Sequence, residues 1–429
     1  MRGIVLTMLL FMMTAVSVSA QEGTWKGELR VQGIKLPLVF HFDADGCTMD
    51  SPSQGAKGIK AEKTIVNGNE VKVTIAAIGA IFEGKNNGDS ICGIFKQNGM
   101  SLPLTLVPGA IEMKRPQTPQ PPFPYQEENV SFANGKFTFH GTLVLPKDYT
   151  RKTPVVLLVT GSGQQNRDEE IFNHKPFAVI ADALARQGIA SLRYDDRGFG
   201  NKAVKFTDFT TDDFKQDAEA GVKFLRTQFN KVGVLGHSEG GTIALMLAAE
   251  KKVDFIISLA GMAVSAKETL LMQNRQALAP LGYSEEKLDA CCNALGKMLD
   301  ALAERKEVNI NDYDIPAELK PALKQAWIPM ETPYMKYFVT IDVSKQLPKI
   351  KCPVLALNGK KDQQVSCKPN IKALEKGLVG KKHNIYAMDD LNHLFQHCKT
   401  GSIIEYQQIE ETISPDVLEM ITTWIQKTL

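Results

Sequence analysis

Residues 231–241 read Lys231-Val232-Gly233-Val234-Leu235-Gly236-His237-Ser238-Glu239-Gly240-Gly241. The apolar start of this stretch is typical of a strand covered on both faces in a parallel sheet, and a helical pattern follows it. A sharp turn between the two needs small residues on either side of Ser238, because larger side chains would collide with the neighbouring strand and helix. The turn also places the positive end of the helix beneath the raised hydroxyl. We therefore predict an α/β domain in which Gly236, His237 and Gly240 form a tight elbow around Ser238.

Apolar runs that resemble strands alternate with helical patterns on both sides of this stretch. Six runs are expected to be strands of a doubly wound sheet, at residues 154–160, 189–194, 232–236, 255–260, 354–358 and 383–388. Helices are expected at residues 175–187, 212–228 and 240–250, and a hairpin at Asn134-Gly135. Ser414 and Pro415 suit the cap and first position of a final helix. The pattern predicts one α/β domain over residues 126–429.

The alternation is interrupted from about residue 265 to residue 345, where apolar residues recur at helical spacing, as in Leu288, Cys291, Leu295, Leu299 and Leu302. An insertion at this edge of the sheet, where loops assemble a site, predicts a helical cap over a pocket. A packed pair of helices without a gating role is the alternative interpretation.

Residues 21–113 differ from the rest of the chain. Short alternating runs are separated by turn signals such as Asn67-Gly68 and Asn98-Gly99, which predicts a small all-β module, either a barrel or a roll. The segment 114–125 carries five prolines and predicts an extended linker. The opening Gly23-Thr24-Trp25-Lys26-Gly27 resembles the start of a lipocalin-like barrel. We expect a structural role for the module, with binding or docking as the alternative.

The first twenty residues have the pattern of a signal peptide. Arg2 precedes an apolar run, and small residues follow at Val18-Ser19-Ala20. A membrane anchor is the weaker interpretation, because the run is shorter than a spanning helix and no stop-transfer charges follow it. We therefore expect an exported protein, periplasmic or secreted, without membrane insertion.

The composition limits the kinds of molecule that this protein is expected to bind. Fifty Lys and Arg against 48 Asp and Glu leave a formal charge of +2, so no strong field would attract nucleic acid. The seven cysteines lack the spacing of a zinc site, and we expect neither a metal nor a cofactor. Disulfides and the oligomeric state stay open.

The six residues Gly236 to Gly241, GHSEGG, resemble the elbow of α/β-hydrolases related to serine aminopeptidases, dienelactone hydrolases and bacterial carboxylesterases. The resemblance covers about residues 128–429 and implies the α/β-hydrolase fold with a helical cap. It implies Ser238 as nucleophile, then an acid after the next-to-last strand and a base after the last. Asp362 and His393 occupy those positions. Their rivals are Asp389 and Asp390 for the acid and His397 for the base.

The resemblance also indicates how an oxyanion would be held. One donor is the backbone amide of Glu239, and the second is expected from Ser162 or Gly163, where relatives often have His-Gly. The loop that follows either lines the pocket or is a solvated charged loop, and it contains Gln165, Asn166, Arg167, Asp168 and Glu169. Arg197 is expected to bridge loops, and His174 to start a helix.

Three function classes are compatible with these residues. A serine esterase acting on small carboxylic esters needs the triad, the oxyanion donors and an uncharged acyl pocket. A peptidase of the serine aminopeptidase type would also need an acidic anchor for the substrate amine, with Glu239, Asp168 and Glu169 as candidates. A non-catalytic carbohydrate- or lipid-binding protein is the third class. We expect the first, with a small-molecule ester as substrate.

Overall fold

The computed structural model describes residues 22–31, 34–52, 56–110, 114–380 and 382–429. The predicted signal peptide, residues 1–20, lies outside them, and export stays a prediction. The chain divides into two compact units, Met1–Glu112 and Met113–Leu429. Among the described residues, no helix is both long enough and apolar enough to cross a bilayer.

The first unit is one antiparallel sheet of nine strands, which confirms the predicted all-β module. The strands are β1 (Gly23–Val31), β2 (Ile34–Asp43), β3 (Gly46–Ser51), β4 (Ala56–Lys60), β5 (Lys63–Asn67), β6 (Glu70–Ile75), β7 (Ala80–Asn86), β8 (Ile91–Gln97) and β9 (Met100–Pro108). The first strand pairs with both β2 and β9, in the order β4-β3-β2-β1-β9-β8-β7-β6-β5. The sheet curls into a half-barrel around a core that includes Phe40, Phe82 and Trp25.

The second unit contains an eight-stranded sheet. Its strands are β10 (Gln126–Asn134), β11 (Phe137–Leu145), β12 (Val155–Val159), β13 (Ala190–Tyr194), β14 (Val232–His237), β15 (Phe255–Leu259), β16 (Val354–Gly359) and β17 (His383–Met388). The order is β10-β11-β13-β12-β14-β15-β16-β17, and β12 to β17 run parallel. All six predicted strands are present, with ends that differ by at most one residue.

Helices cover both faces of this sheet. They are α1 (Pro176–Arg186), α2 (Thr211–Arg226), α3 (Glu239–Ala249), α4 (Ala266–Leu278), α5 (Glu285–Ala303), α6 (Lys320–Trp327), α7 (Pro333–Phe338), α8 (Cys367–Gly377), α9 (Ile403–Tyr406) and α10 (Pro415–Thr428). One apolar core lies between the sheet and α2, α3 and α8, and a second lies between the sheet and α1 and α10. The doubly wound α/β prediction is confirmed. The expected cap of α10 is wrong in one detail, because the Ser414 hydroxyl makes no capping hydrogen bond.

The predicted helical insertion lies between β15 and β16 and contains α4 to α7. Of the apolar residues at helical spacing, all are buried on α5, and Cys291, Leu295, Leu299 and Leu302 form a separate core with Leu319, Leu323 and Trp327. This local core explains why the insertion shows helical periodicity without contributing a strand to the sheet.

The proline-rich segment 114–125 packs within the second unit. The Arg115 guanidinium donates hydrogen bonds to the carbonyls of Phe172, Gln407 and Ile409. The Gln117 side-chain oxygen accepts from backbone amides near the start of α10. Sequence composition could not predict these contacts, because they join positions that lie 57 to 296 residues apart.

Candidate active site

The elbow between β14 and α3 holds Ser238 in an unusual backbone conformation. Its φ of 54° and ψ of −117° are sparsely populated for a residue with a side chain. A Cβ on Gly236 would lie 1.9 Å from the carbonyl oxygen of Gly240, and one on Gly240 would lie 2.0 Å from that of Val159. Only glycine fits at both positions. These distances confirm the predicted reason for the two glycines, which is that a larger side chain would collide with the neighbouring backbone.

Asp362 and His393 meet beside this elbow, although 31 positions separate them. The His393 Nδ1 lies 2.7 Å from Asp362 Oδ2, and both side chains are buried. The other carboxylate oxygen accepts from the backbone amides of Gln364 and Val365, each at 2.8 Å. A carboxylate held in this way fixes the Nδ1–H tautomer and leaves His393 Nε2 free to accept a proton.

Ser238 and His393 line the same cavity, which has a volume of about 350 Å³. Its apolar wall consists of Ile171, Leu270, Met335, Phe338 and Leu394. Because Leu270 belongs to α4 and Met335 and Phe338 belong to α7, the insertion forms one side of this cavity. A larger cavity of about 820 Å³ lies elsewhere, between the insertion and the start of α2, and none of the predicted site residues lines it.

The two expected oxyanion donors are placed differently. Glu239 is the first residue of α3, so its amide is one of the helical N–H groups that lack an intrahelical acceptor. Ser162 lines the cavity with Ser238, whereas Gly163 lines a small separate cavity beside Glu239 and Asp196. The preceding amide, that of Gly161, donates to Glu169 Oε1 at 2.7 Å. This placement favours Ser162 over Gly163.

The Glu239 side chain is buried beneath α7. Its carboxylate accepts from the Thr211 hydroxyl at 2.6 Å and from the Tyr334 phenol at 2.7 Å. The Ser162 Oγ lies 3.2 Å from the same phenol oxygen. Burial raises the pKa of Glu239 above its ordinary value, although these hydrogen bonds oppose the shift. Tyr334, which the sequence did not single out, therefore connects the insertion to both expected oxyanion donors.

Glu169 and His237 form a second buried pair behind the triad residues. The His237 Nδ1 lies 3.0 Å from Glu169 Oε1, and its Nε2 lies 2.9 Å from the carbonyl oxygen of His393. From the sequence, Glu169 was assigned to a loop that either lines the pocket or is solvated, and His237 was assigned only to the elbow. Sequence spacing carries no signal for this contact, because 68 positions separate the two residues.

The rival acid and base candidates lie apart from this arrangement. His397 is half-exposed and contacts Glu411 at 2.9 Å. Asp389 and Asp390 are exposed and pair with lysines, Asp389 with Lys360 and Asp390 with Lys361. The structure therefore brings Asp362, and neither rival, to His393.

The remaining polar candidates make structural contacts. Arg197 forms a buried two-point ion pair with Asp217 of α2, so its side chain has a structural role but joins its loop to a helix rather than to another loop. In the loop after β12, two side chains form ion pairs, Arg167 with Asp195 and Asp168 with Arg193. Gln165 lines the cavity, and the Asn166 side chain accepts hydrogen bonds from backbone amides of its own turn. The buried His174 ring contacts the Thr412 hydroxyl and the Tyr406 carbonyl just before α1. Among the described residues, no cluster of His, Cys, Asp and Glu has the arrangement of a metal site.

This fold and site define an α/β-hydrolase. The sheet is mainly parallel and has the required order, the serine lies on a strand-to-helix elbow, the acid follows β16 and the histidine follows β17. Residues 137–387 match the family model described as X-Pro dipeptidyl-peptidase (S15 family), and the chain belongs to this family. It is a serine hydrolase.

Individual relatives extend this comparison. The chain is 30% identical to Esterase EstD of Thermotoga maritima over 315 residues, which cover 71% of this chain and 69% of EstD. It is 33% identical to the human serine hydrolase BPHL over 93 residues, 21% of this chain and 28% of BPHL. Among solved structures, Est1E from Butyrivibrio proteoclasticus matches 70% of this chain and 98% of its own, with 15% identity and a TM-score of 0.42.

Proposed function

We propose that this enzyme hydrolyses small carboxylic esters through an acyl-enzyme on Ser238. The observation that supports the proposal most directly is the 2.7 Å contact between His393 and Asp362 at the cavity that Ser238 also lines. A serine hydroxyl is a weak nucleophile until a neighbouring imidazole accepts its proton, and the carboxylate keeps that imidazole in the correct tautomer.

In the proposed mechanism, Ser238 Oγ attacks the ester carbonyl while His393 Nε2 takes its proton. The oxyanion accepts hydrogen bonds from the amides of Glu239 and Ser162, next to the positive end of α3. His393 then protonates the leaving alkoxide, and Ser238 carries the acyl group. Water, deprotonated by His393, attacks the acyl-enzyme and releases the acid.

The cavity favours an ester over a peptide. Its wall is largely apolar, and its volume of about 350 Å³ suits a short acyl group. Of the described residues that line it, Glu169 is the one acidic side chain; its Oε1 already accepts from Gly161 and contacts His237, and its Oε2 is shielded from solvent. A dipeptidyl-peptidase would need a carboxylate available for the substrate amine. EstD carries the name of an esterase, which agrees with this preference.

The test compares leaving groups on one enzyme preparation. We expect p-nitrophenyl acetate and butyrate to be hydrolysed readily, the octanoate slowly, and glycyl-prolyl p-nitroanilide poorly, because an amide also requires precise protonation and anchoring. A fluorophosphonate probe should label Ser238 on peptide mapping, with Ser238→Ala as the control. A kcat/KM for the anilide that matches or exceeds those of the esters would establish a peptidase instead. A label on another residue would refute the assignment of the nucleophile.

A further inference from the structure

The His237 ring meets an oxygen atom at each nitrogen. The carbonyl oxygen of His393 can only accept, so the Nε2 of His237, 2.9 Å away, must carry a proton. On the other side, Glu169 Oε1 already accepts the Gly161 amide at 2.7 Å, and the Nδ1 of His237 lies 3.0 Å from the same oxygen. An ionised carboxylate has no proton to donate, so its oxygen can only accept from Nδ1. Both ring nitrogens of His237 are therefore donors.

A neutral imidazole has only one N–H, so two donated hydrogen bonds require the imidazolium form. Burial opposes this charge, since His237 is 8% exposed and Glu169 is 4% exposed. The Glu169 carboxylate and the two hydrogen bonds outweigh burial, and the pKa of His237 is raised above its ordinary value. Asp362 also favours the charged ring, and the His393 ring centroid lies 4.7 Å away.

We propose that Glu169 and His237 are positioning residues, a buried carboxylate–imidazolium pair that fixes the loop of His393 against the loop after β12. This inference rests on the proposed function, because those two loops supply the base and one oxyanion donor. Glu169 contacts the loop after β12 through Gly161, and the elbow through His237. His237 in turn contacts the backbone of His393. One ion pair thus connects the three segments that must be in register for acyl transfer.

Glu169→Gln is the informative substitution because it preserves size and removes charge. A glutamine presents one acceptor and one donor group, so it cannot both accept the Gly161 amide and balance a charged His237. We expect kcat for p-nitrophenyl acetate to fall about 10- to 100-fold with KM within about threefold, because a displacement of about 1 Å at a catalytic group can cost about 100-fold. Glu411→Gln removes a carboxylate from the half-exposed His397 and should leave kcat unchanged.

The protonation state can be measured without a substrate. In protein labelled with ¹⁵N-histidine, we expect both His237 nitrogens to carry protons at pH 7, with the signals assigned from their loss in His237→Gln. In Glu169→Gln, one His237 nitrogen should lose its proton. The internal control is His174, which is also buried but contacts Thr412, Tyr406 and Gln396 rather than a carboxylate. Burial and the nearby Arg115 lower the pKa of His174 to about 4, so it should show one unprotonated nitrogen.

The outcomes separate the inference from the proposed function. An unprotonated His237 nitrogen in the wild-type protein at pH 7 would overturn the ion pair. A Glu169→Gln variant with wild-type kcat would overturn the positioning role. If fluorophosphonate fails to label Ser238 while both His237 nitrogens are protonated, the proposed function fails and the ion pair stands.

Discussion

The hydrogen bond from Tyr334 to Glu239 offers a quantitative test of how the insertion is attached to the catalytic elbow. Both side chains are buried, and the phenol oxygen lies 2.7 Å from Glu239 Oε2. Tyr334→Phe removes one donor from a carboxylate that keeps its second donor, Thr211. Because hydrogen bonds to charged groups contribute about 1.5–3 kcal/mol, we expect the free energy of unfolding to fall by about 2 kcal/mol at pH 8.

The pH dependence of this loss has a definite sign. Burial raises the pKa of Glu239, so the carboxyl protonates at a higher pH in the folded protein than in the unfolded chain. Its ionised form therefore costs stability at high pH, and losing the phenol donor increases that cost. We expect the loss in Tyr334→Phe to be larger at pH 8 than at pH 5.

Urea unfolding at both pH values measures the effect. The matched control is Tyr337→Phe on the same helix, since the half-buried Tyr337 hydroxyl makes no hydrogen bond to the part of the chain that the structure describes. The control should change stability by less than about 0.5 kcal/mol. Equal losses in the two variants, or a larger loss in Tyr334→Phe at pH 5, would contradict the reasoning.

Two further predictions concern the catalytic residues and the limits of the second unit. Ser238→Ala and His393→Ala should each lower kcat for p-nitrophenyl acetate by about 10⁴-fold or more while the circular dichroism spectrum stays unchanged. An active His393→Ala variant would show that another residue is the general base. Residues 114–429 should unfold at higher urea concentration than residues 126–429, because Arg115 donates to three carbonyls of this unit and charged donors contribute about 1.5–3 kcal/mol. Equal midpoints would show that segment 114–125 contributes nothing to stability.

The sheet and the elbow were predictable because they depend on local patterns. Strands buried on both faces are continuously apolar, and the run 232–236 predicts such a strand without knowledge of its neighbours. Gly236 and Gly240 are required by backbone clashes within a few residues of Ser238. The order of Ser238, Asp362 and His393 was inferred from a resemblance, and the structure brings the last two into contact.

Contacts between remote segments were not predictable in the same way. Glu169 and His237 contact each other only because β12 and β14 are adjacent in the sheet, with Glu169 in the loop after β12 and His237 at the end of β14. Neither local sequence contains a signal that distinguishes this Glu169 from its neighbours Asp168 and Glu170, which pair with Arg193 and Lys175 respectively. A buried carboxylate can be recognised only when its partner is known.

Substrate selectivity also depends on residues that are remote from the elbow in sequence. The elbow sequence is required by the backbone geometry of any acyl transfer on this fold. It therefore does not indicate which acyl group the enzyme prefers. Leu270, Met335 and Phe338 of the insertion line the cavity of Ser238, and they reach it through the packing of α4 and α7. Their local sequence pattern is that of ordinary amphipathic helices. Substitutions in these helices should therefore change which esters are hydrolysed while leaving the contact between His393 and Asp362 intact.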